Sequence, residues 1–429
     1  MFDTEQFCEA AHAGRAVDAA GLARHLCSFD SVIVWGAGKL GSAIGAQLVE
    51  MAVPVSAYWD RSSEQIVELN GVPVTEPFTG DHDRARTIVV ACISNGSTGG
   101  DWTRRELSRA GYPHSLPGMV LYEGLLCPLD LDTGVDPGVC IRAKACNVCA
   151  CDRLLSLLRR DAAAGDDLRL DFNVITFIVN QKCSLSCHHC GQYMNSYPGD
   201  ERVNLPLDRI TEDIDRFFDA ADVVGVVSII GGEPFLHPEI GAIVRHVLCK
   251  NRFGVLDITT NGIWKLDPAR LDEIRNDRVR VTFSYYPDAL TSKQRDLFQR
   301  NRELVQSKGL SCSVGVPVWV MPSSLRDKGH SVDRMIEMKR SCDGIRLCMS
   351  VKNGRFFPCS KAEPLHSLRV AVYETDYVDM RSTSPEELRR KMHDLRAAAY
   401  YRSCSHCGGD AGQVLRYAGE QGTSDRYSL

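Results

Sequence analysis

Cys183-Ser-Leu-Ser-Cys187-His-His-Cys190 is the stretch that most constrains what this chain can become. Three cysteines fall on eight residues, directly after a strand-like apolar run, Phe172 to Val179. Zinc is usually held by paired C-x2-C units, and buried structural cysteines have no reason to crowd a polar turn. Three thiolates on one tight loop can hold three irons of a cubic cluster and leave the fourth iron open to another ligand. A zinc loop and plain buried thiols stand as the simpler alternatives.

The other cysteines follow the same logic. Among 429 residues there are eighteen cysteines, with 44% hydrophobic and 24% charged residues and a net charge of −5. This composition suits a soluble globular chain of two or three domains. It gives no electrostatic case for nucleic acid or an acidic membrane. No run approaches the roughly 18 apolar residues of a membrane span. The start, MFDTEQFCEAAHAGR, lacks the pattern of a secretory signal. The expectation is a cytoplasmic protein with neither nucleic-acid nor membrane partners. In a reducing compartment, clustered cysteines point to metal rather than disulfides. They gather at Cys127, Cys140, Cys146, Cys149 and Cys151, at the 183–190 loop, at Cys342, Cys348 and Cys359, and at Cys404 and Cys407. Cys8, Cys27, Cys92, Cys249 and Cys312 stand alone and are expected to be buried apolar residues.

Residues 1 to about 28 read as amphipathic helix. Ser31 to Trp35 is a short buried strand closing on Gly36-Ala-Gly38-Lys-Leu-Gly41, followed by a helix (Ser42 to Met51) and a second strand (Val53 to Trp59) that ends at Asp60. G-x-G-x-x-G between strand and helix, with an acid about twenty residues on, can set a pyrophosphate on the helix N-terminus and a carboxylate on a ribose. Beyond Asp60 only a short strand near Val72, one at Thr87 to Ile93 and one at Met119 to Tyr122 are legible, roughly half of a dinucleotide domain. The unit resembles small Rossmann-like modules fused to sugar-modifying enzymes. The glycines serve equally well a tight turn and close helix packing, so nucleotide contact and a structural or docking role are both open. Residues 123 to 152 read as an ordered loop or linker. Cys146-Asn-Val-Cys149, with Cys140 and Cys127 upstream, is the pattern of a third metal site, zinc or iron–sulfur, against free thiols.

From Leu168 strands alternate with helices: Leu207 to Ala221, Val223 to Ile230, Ile240 to Cys249, Val255 to Thr259, Val279 to Tyr285, Ser292 to Lys308, Ser311 to Val320. The pattern argues for about six parallel βα units, a partial barrel whose functional groups gather at the C-terminal strand ends. Gly231-Gly232-Glu233-Pro234, Thr259-Thr260-Asn261-Gly262 and Ser284 all sit at such ends. Together with the cysteine loop, with His189 where an aromatic residue is usual, they resemble the radical S-adenosylmethionine (SAM) superfamily over about 160 residues. The resemblance implies a 4Fe–4S cluster on Cys183, Cys187 and Cys190 whose open iron is chelated by SAM. It also implies that Gly231, Gly232, Glu233 and Pro234 meet the methionyl amino group, with Thr260 and Asn261 near the ribose and Ser284 near the carboxylate or ribose. Glu233 or a carbonyl can accept from an ammonium.

After Val320 the barrel pattern stops. Asn353-Gly354 marks a hairpin. Cys342, that hairpin, Cys359 and Cys404-Ser-His-Cys407 resemble a SPASM/twitch extension, which implies an auxiliary 4Fe–4S cluster. Spacing favours Cys342 over Cys348 as first ligand, because the hairpin strand would hold Cys348 within the sheet; zinc on the same thiolates is the alternative. The expected architecture is α/β: a Rossmann-like module (1–122), a Cys-rich linker (123–165), a partial (βα)6 TIM-like barrel (166–335) and a small α+β cluster-binding extension (336–429). The implied chemistry is reductive cleavage of SAM to a 5′-deoxyadenosyl radical that takes hydrogen from a substrate C–H bond, with an electron donor such as flavodoxin or ferredoxin. A sugar or nucleotide-sugar is the favoured small-molecule substrate, with oxidation, epimerisation or dehydration as outcomes. The alternatives are maturation of a ribosomally made peptide, an NAD-dependent dehydrogenase with structural zinc, and a metal-stabilised scaffold. His330, Tyr285 and Tyr286 are acid or base candidates by position only.

Overall fold

Two short apolar runs, Ser31-Val-Ile-Val-Trp35 and Thr87-Ile-Val-Val-Ala91, are buried at every position, as strands covered by helices on both faces must be. They form the centre of the first of two units, Met1–Asp161 and Ala162–Leu429. The computed structural model describes residues 2–61, 63–64, 66–93, 101–127, 152–160, 168–188, 190–315, 318–320, 325–340, 342, 344–408, 415–417 and 419–421.

In the first unit β1 (Ser31–Trp35), β2 (Val55–Trp59), β3 (Glu68–Leu69), β4 (Val72–Thr75), β5 (Thr87–Ala91) and β6 (His114–Pro117) form a sheet in the order β3-β4-β2-β1-β5-β6. All pairs except β3–β4 are parallel. The five parallel strands equal in number those read from the sequence, but the last of them is β6 rather than Met119 to Tyr122. β6 escaped notice because His-Ser-Leu-Pro carries one buried apolar residue. Its apolar successor, Met119 to Tyr122, is no strand: it lies in the helix Gly118–Leu125, entered at Pro117. A short apolar run buried all round cannot be assigned by periodicity. The N-terminal stretch is likewise two helices, Thr4–His12 and Ala19–Leu26, the second capped by Asp18 accepting from the Gly21 amide. Cys140, Cys146, Cys149 and Cys151 lie outside the described residues; Cys127 is partly buried. Cys92 is buried as expected, but Cys27 and Cys249 are exposed, each being the residue that closes a helix.

The second unit is organised on one continuous sheet, ordered β11-β10-β9-β8-β7-β13-β14-β15. Its strands are β7 (Asp171–Ile178), β8 (Val223–Ile230), β9 (Phe253–Thr260), β10 (Val279–Ser284), β11 (Ser311–Gly315), β13 (Ser350–Lys352), β14 (Arg355–Phe357) and β15 (Val378–Asp379). β7 to β11 are parallel and in chain order, with the helices Leu207–Ala220, Ile240–Leu248, Pro268–Glu273 and Ser292–Ser307 between them. Five barrel units are present in sequence. The sixth parallel strand, β13, joins the opposite edge beside β7. The run Ser311 to Val320 divides: β12 (Val318–Val320) leaves the sheet to pair antiparallel with β16 (Leu415–Tyr417). The hairpin is as read, with Asn353 and Gly354 both at positive φ (49° and 75°) in the two-residue turn.

This C-terminal hairpin is welded to the barrel. Phe356 of β14 meets Phe172 of β7 at 5.9 Å, and Phe172 meets Phe217 of the first helix at 5.0 Å. All three are fully buried, at about 1.5–3 kcal/mol each. The apolar side chains of β10 (Val279, Val281, Phe283) pack toward the helices, Phe283 against Phe298 at 5.4 Å. The alternate set, Arg280, Thr282 and Ser284, therefore faces the inside of the curved sheet.

Candidate active site

The cysteine loop follows β7, and each other strand end contributes a backbone turn or side chain to its support. Asn180, fully buried, bridges the first two ends: its Nδ2 donates to the Glu233 carbonyl (2.9 Å) and its Oδ1 accepts from the Gly232 amide (3.0 Å). The glycines are needed because the loop passes directly over them. A Cβ on Gly231 would sit 2.1 Å from Asn180 Oδ1, and one on Gly232 would sit 2.2 Å from the Lys182 carbonyl oxygen. What approaches these glycines is the start of the cysteine loop itself.

Glu233 is fully buried beneath these turns. Its carboxyl accepts from Thr260 Oγ1 (2.8 Å), the Asn261 amide (2.9 Å) and the Phe235 amide (3.1 Å), bracing the β8 end against the β9 end. Burial raises its pKa to about 7, opposed only in part by those bonds. Asn261 continues the chain of contacts, its Nδ2 reaching Ser184 Oγ (3.1 Å) and Cys183 Sγ (3.6 Å). Tyr286, beyond Ser284 at the β10 end, is buried, and its pKa is pushed up by burial and then by the nearby Cys187, Cys190 and Cys183. Tyr285 packs on Phe298 at 4.9 Å.

The three loop thiols fit a cluster. Cys183 accepts from the Leu185 amide (3.4 Å) as well as Asn261, Cys187 accepts from Gln421 Nε2 (3.2 Å), and Cys190 accepts from the amides of Gln192, Tyr193 and Met194. Such donors stabilise ligating sulfur. Burial holds the Cys183 thiol up at about 12 and the Cys187 thiol at about 11, and raises Cys190. Irons would replace those protons on binding. Among the described residues no three His, Cys, Asp or Glu side chains converge to hold a single ion. A cluster offers each thiolate its own iron, so convergence on one point is not required. His189 lies outside the described residues.

A second cysteine group gathers beside the hairpin. Cys359, Cys404 and Cys407 lie close together: burial first, then Cys359 and Cys407, raise the Cys404 thiol to about 12, and burial and then Cys407 raise Cys359. Asp376 pins their loop by accepting from the Arg402 (3.0 Å) and Ser403 (2.6 Å) amides. Lys339 feels both Cys404 and Cys342, which sets Cys342 on this side. Cys348 precedes β13 rather than lying in it, and lines a small cavity with Thr176, Ile178, Ile230 and Gln192 at the barrel mouth. His330 Nε2 meets the Cys407 carbonyl at 3.0 Å. The two groups are joined through the segment after Cys190: buried Lys352 pairs with Glu363 (2.6 Å) and donates to Tyr197 (2.8 Å), and Lys361 donates to Tyr193.

The barrel interior holds a polar constellation that motif reading missed. Asp257 and Arg280 stand opposite in the β9–β10 register and pair at 2.6 Å, with Thr282 Oγ1 on Asp257 at 2.6 Å and Ser313 on Thr282 at 2.9 Å. In the first unit, Gly36 has φ +115°, a Cβ on Gly41 would sit 1.8 Å from the Gly36 carbonyl, and the space around Gly38 is open. Asp60 Oδ2 accepts from the Ala37 amide at 2.7 Å, so the acid turns back onto the glycine loop.

Fold and site define a class. Residues 177–305 match the model described as the Radical SAM superfamily. The likeness to individual proteins is partial. A 111-residue stretch is 32% identical to GTP 3′,8-cyclase of Lactiplantibacillus plantarum, covering 25% of this chain and 32% of that protein. The chain thus spans about a third of the length of that curated relative. Among solved structures, BtrN in complex with AdoMet and 2-DOIA is 15% identical, covering 56% of this chain and 94% of that one, with a TM-score of 0.38. anSMEcpe with bound AdoMet and a Cp18Cys peptide is 14% identical, covering 56% and 86%, with a TM-score of 0.36.

Proposed function

We propose that this chain is a radical SAM enzyme acting on a sugar or nucleotide-sugar, with Cys183, Cys187 and Cys190 as ligands of the SAM-binding cluster. The observation that carries the reading is the meeting of all three thiols with the Glu233, Asn261 and Tyr286 strand ends above one polar barrel interior. When bound, cluster and SAM supply a 5′-deoxyadenosyl radical able to take hydrogen from an unactivated C–H bond. The chain's own part is to hold reactants in near-attack geometry and exclude water. Asp257, Arg280, Thr282 and Ser313, bonded to one another, give the barrel interior a polar lining with both donors and acceptors, which suits a hydroxyl-rich substrate.

A second cluster on Cys342, Cys359, Cys404 and Cys407 belongs to the same proposal, as a SPASM/twitch-like electron acceptor or substrate anchor. Lys361 lies close enough to Cys359 and Cys407 to interact with both electrostatically, which supports it by setting a basic side chain beside the proposed ligands. The Rossmann-like first unit is proposed to bind a nucleotide or nucleotide-sugar by itself at Gly36, Gly38, Gly41 and Asp60; the open space at Gly38 supports this. The electron donor is proposed to be a flavodoxin or ferredoxin. The test is anaerobic reconstitution followed by dithionite, SAM and a panel of nucleotide-sugars. One member should raise 5′-deoxyadenosine release well above the uncoupled rate; release that no sugar or nucleotide-sugar stimulates would refute the substrate class.

A further inference from the structure

The cysteine loop is covered by a segment far from it in sequence. β16, held antiparallel to β12, leads to Gly419, Glu420 and Gln421, which run along residues 186–188. The His188 amide donates to the Glu420 carbonyl at 2.8 Å, and the Ser186 amide donates to Gln421 Oε1 at 2.7 Å. Cys187 and Gln421 make an antiparallel bridge, and Gln421 Nε2 donates to Cys187 Sγ at 3.2 Å. Gly419, at φ +81°, is pressed on Tyr286 so closely that a Cβ would lie 2.3 Å from the ring. The side-chain amide is thus fixed from both ends, its oxygen on the loop backbone and its nitrogen on a candidate ligand sulfur. The three thiols are not served alike. Cys183 and Cys190 draw donors from the loop and a neighbouring strand end, whereas the side-chain donor to Cys187 comes from 234 residues away.

We propose that Gln421 is a positioning residue for the cluster, tuning its reduction potential through the bond to Cys187. The inference rests on the reading that the loop carries the SAM-binding cluster. Reduction adds an electron whose charge spreads onto the sulfurs, so a donor on a ligand sulfur favours the reduced state and raises the potential. A hydrogen bond to a charged group is strong enough to alter that equilibrium about tenfold. Tenfold in a one-electron couple is about 59 mV.

The experiment is a redox titration of reconstituted full-length protein, following the EPR signal that SAM perturbs, in wild type, Gln421→Met and Gln421→Glu. Methionine keeps length and removes the donor; glutamate keeps an acceptor for the Ser186 amide but sets an anion beside the sulfur. Both potentials should fall, methionine by about 59 mV and glutamate by at least as much, with iron and sulfide content unchanged. Unchanged potentials in variants with full iron overturn the proposal. Loss of iron from both variants also overturns it, leaving Gln421 a structural strap only. A wild-type protein without a SAM-perturbed signal would instead sink the underlying cluster reading, a separate outcome.

Discussion

Glu233→Ala probes the brace under the site. The carboxyl accepts two backbone amides, Asn261 and Phe235, and the Thr260 hydroxyl. The hydroxyl can re-aim, but the amides cannot, and each buried unpaired donor costs about 1–3 kcal/mol. The variant should lose about 3 kcal/mol of local stability at pH 5.5, where wild-type Glu233 is uncharged in the fold. Local opening, read by hydrogen exchange at the Asn261 amide in cluster-free protein, should become about a hundredfold more frequent. The pH profile gives a second reading. The folded pKa is raised by burial from the ordinary 4.5 to about 7. The contribution is fully present below 4.5, where both states are protonated, and is lost as pH rises through 7. At about 1.4 kcal/mol per pH unit the wild type should lose about 3 kcal/mol over that window. Glu233→Gln, which does not titrate, should lack the slope. Protection in Glu233→Ala within twofold of wild type, or a wild-type profile that is flat or rises between pH 4.5 and 7, would refute this account of the site's floor.

Three other perturbations follow from the geometry. Gly232→Ala drives a Cβ to 2.2 Å from the Lys182 carbonyl, so the loop must shift; the variant should fold, shown by unchanged far-UV circular dichroism, yet reconstitute with about half the wild-type iron. Cys342→Ala should lose the auxiliary iron, about four per chain, while Cys348→Ala keeps it; the reverse in iron and sulfide analysis would exchange the two cysteines. Gly38 has φ −75° and open surroundings, so Gly38→Ala should leave Tm unchanged and weaken nucleotide-sugar binding by calorimetry at least tenfold, whereas Gly41→Ala, meeting the Gly36 carbonyl at 1.8 Å, should lower Tm by several degrees.

What could be read in advance depended on how locally each feature is encoded. The cysteine loop, Gly231-Gly232 and Asn353-Gly354 were legible because a spacing or a glycine turn is set within a few residues. Asp257 and Arg280 look like ordinary solvent-facing charges until the β9–β10 register sets them opposite each other on the inner face. The alternation Val279, Val281, Phe283 against Arg280, Thr282, Ser284 was the available signal, since parallel strands under helices are otherwise apolar throughout. Gln421 had no local signal at all: its partner lies across the whole second unit. Glu233 was singled out correctly as a strand-end residue, but sequence alone could not show that its oxygens are occupied by the chain's own donors.

The most direct test of the central claim compares reconstituted wild type with Cys183→Ala, Cys187→Ala and Cys190→Ala under dithionite and SAM. Wild type should carry at least one 4Fe–4S cluster whose EPR signal SAM alters, and should release 5′-deoxyadenosine. Each variant should lose both, retaining only the iron of the auxiliary site. Release of 5′-deoxyadenosine by any of the three at the wild-type rate, or a colourless zinc-only wild type, would contradict the account.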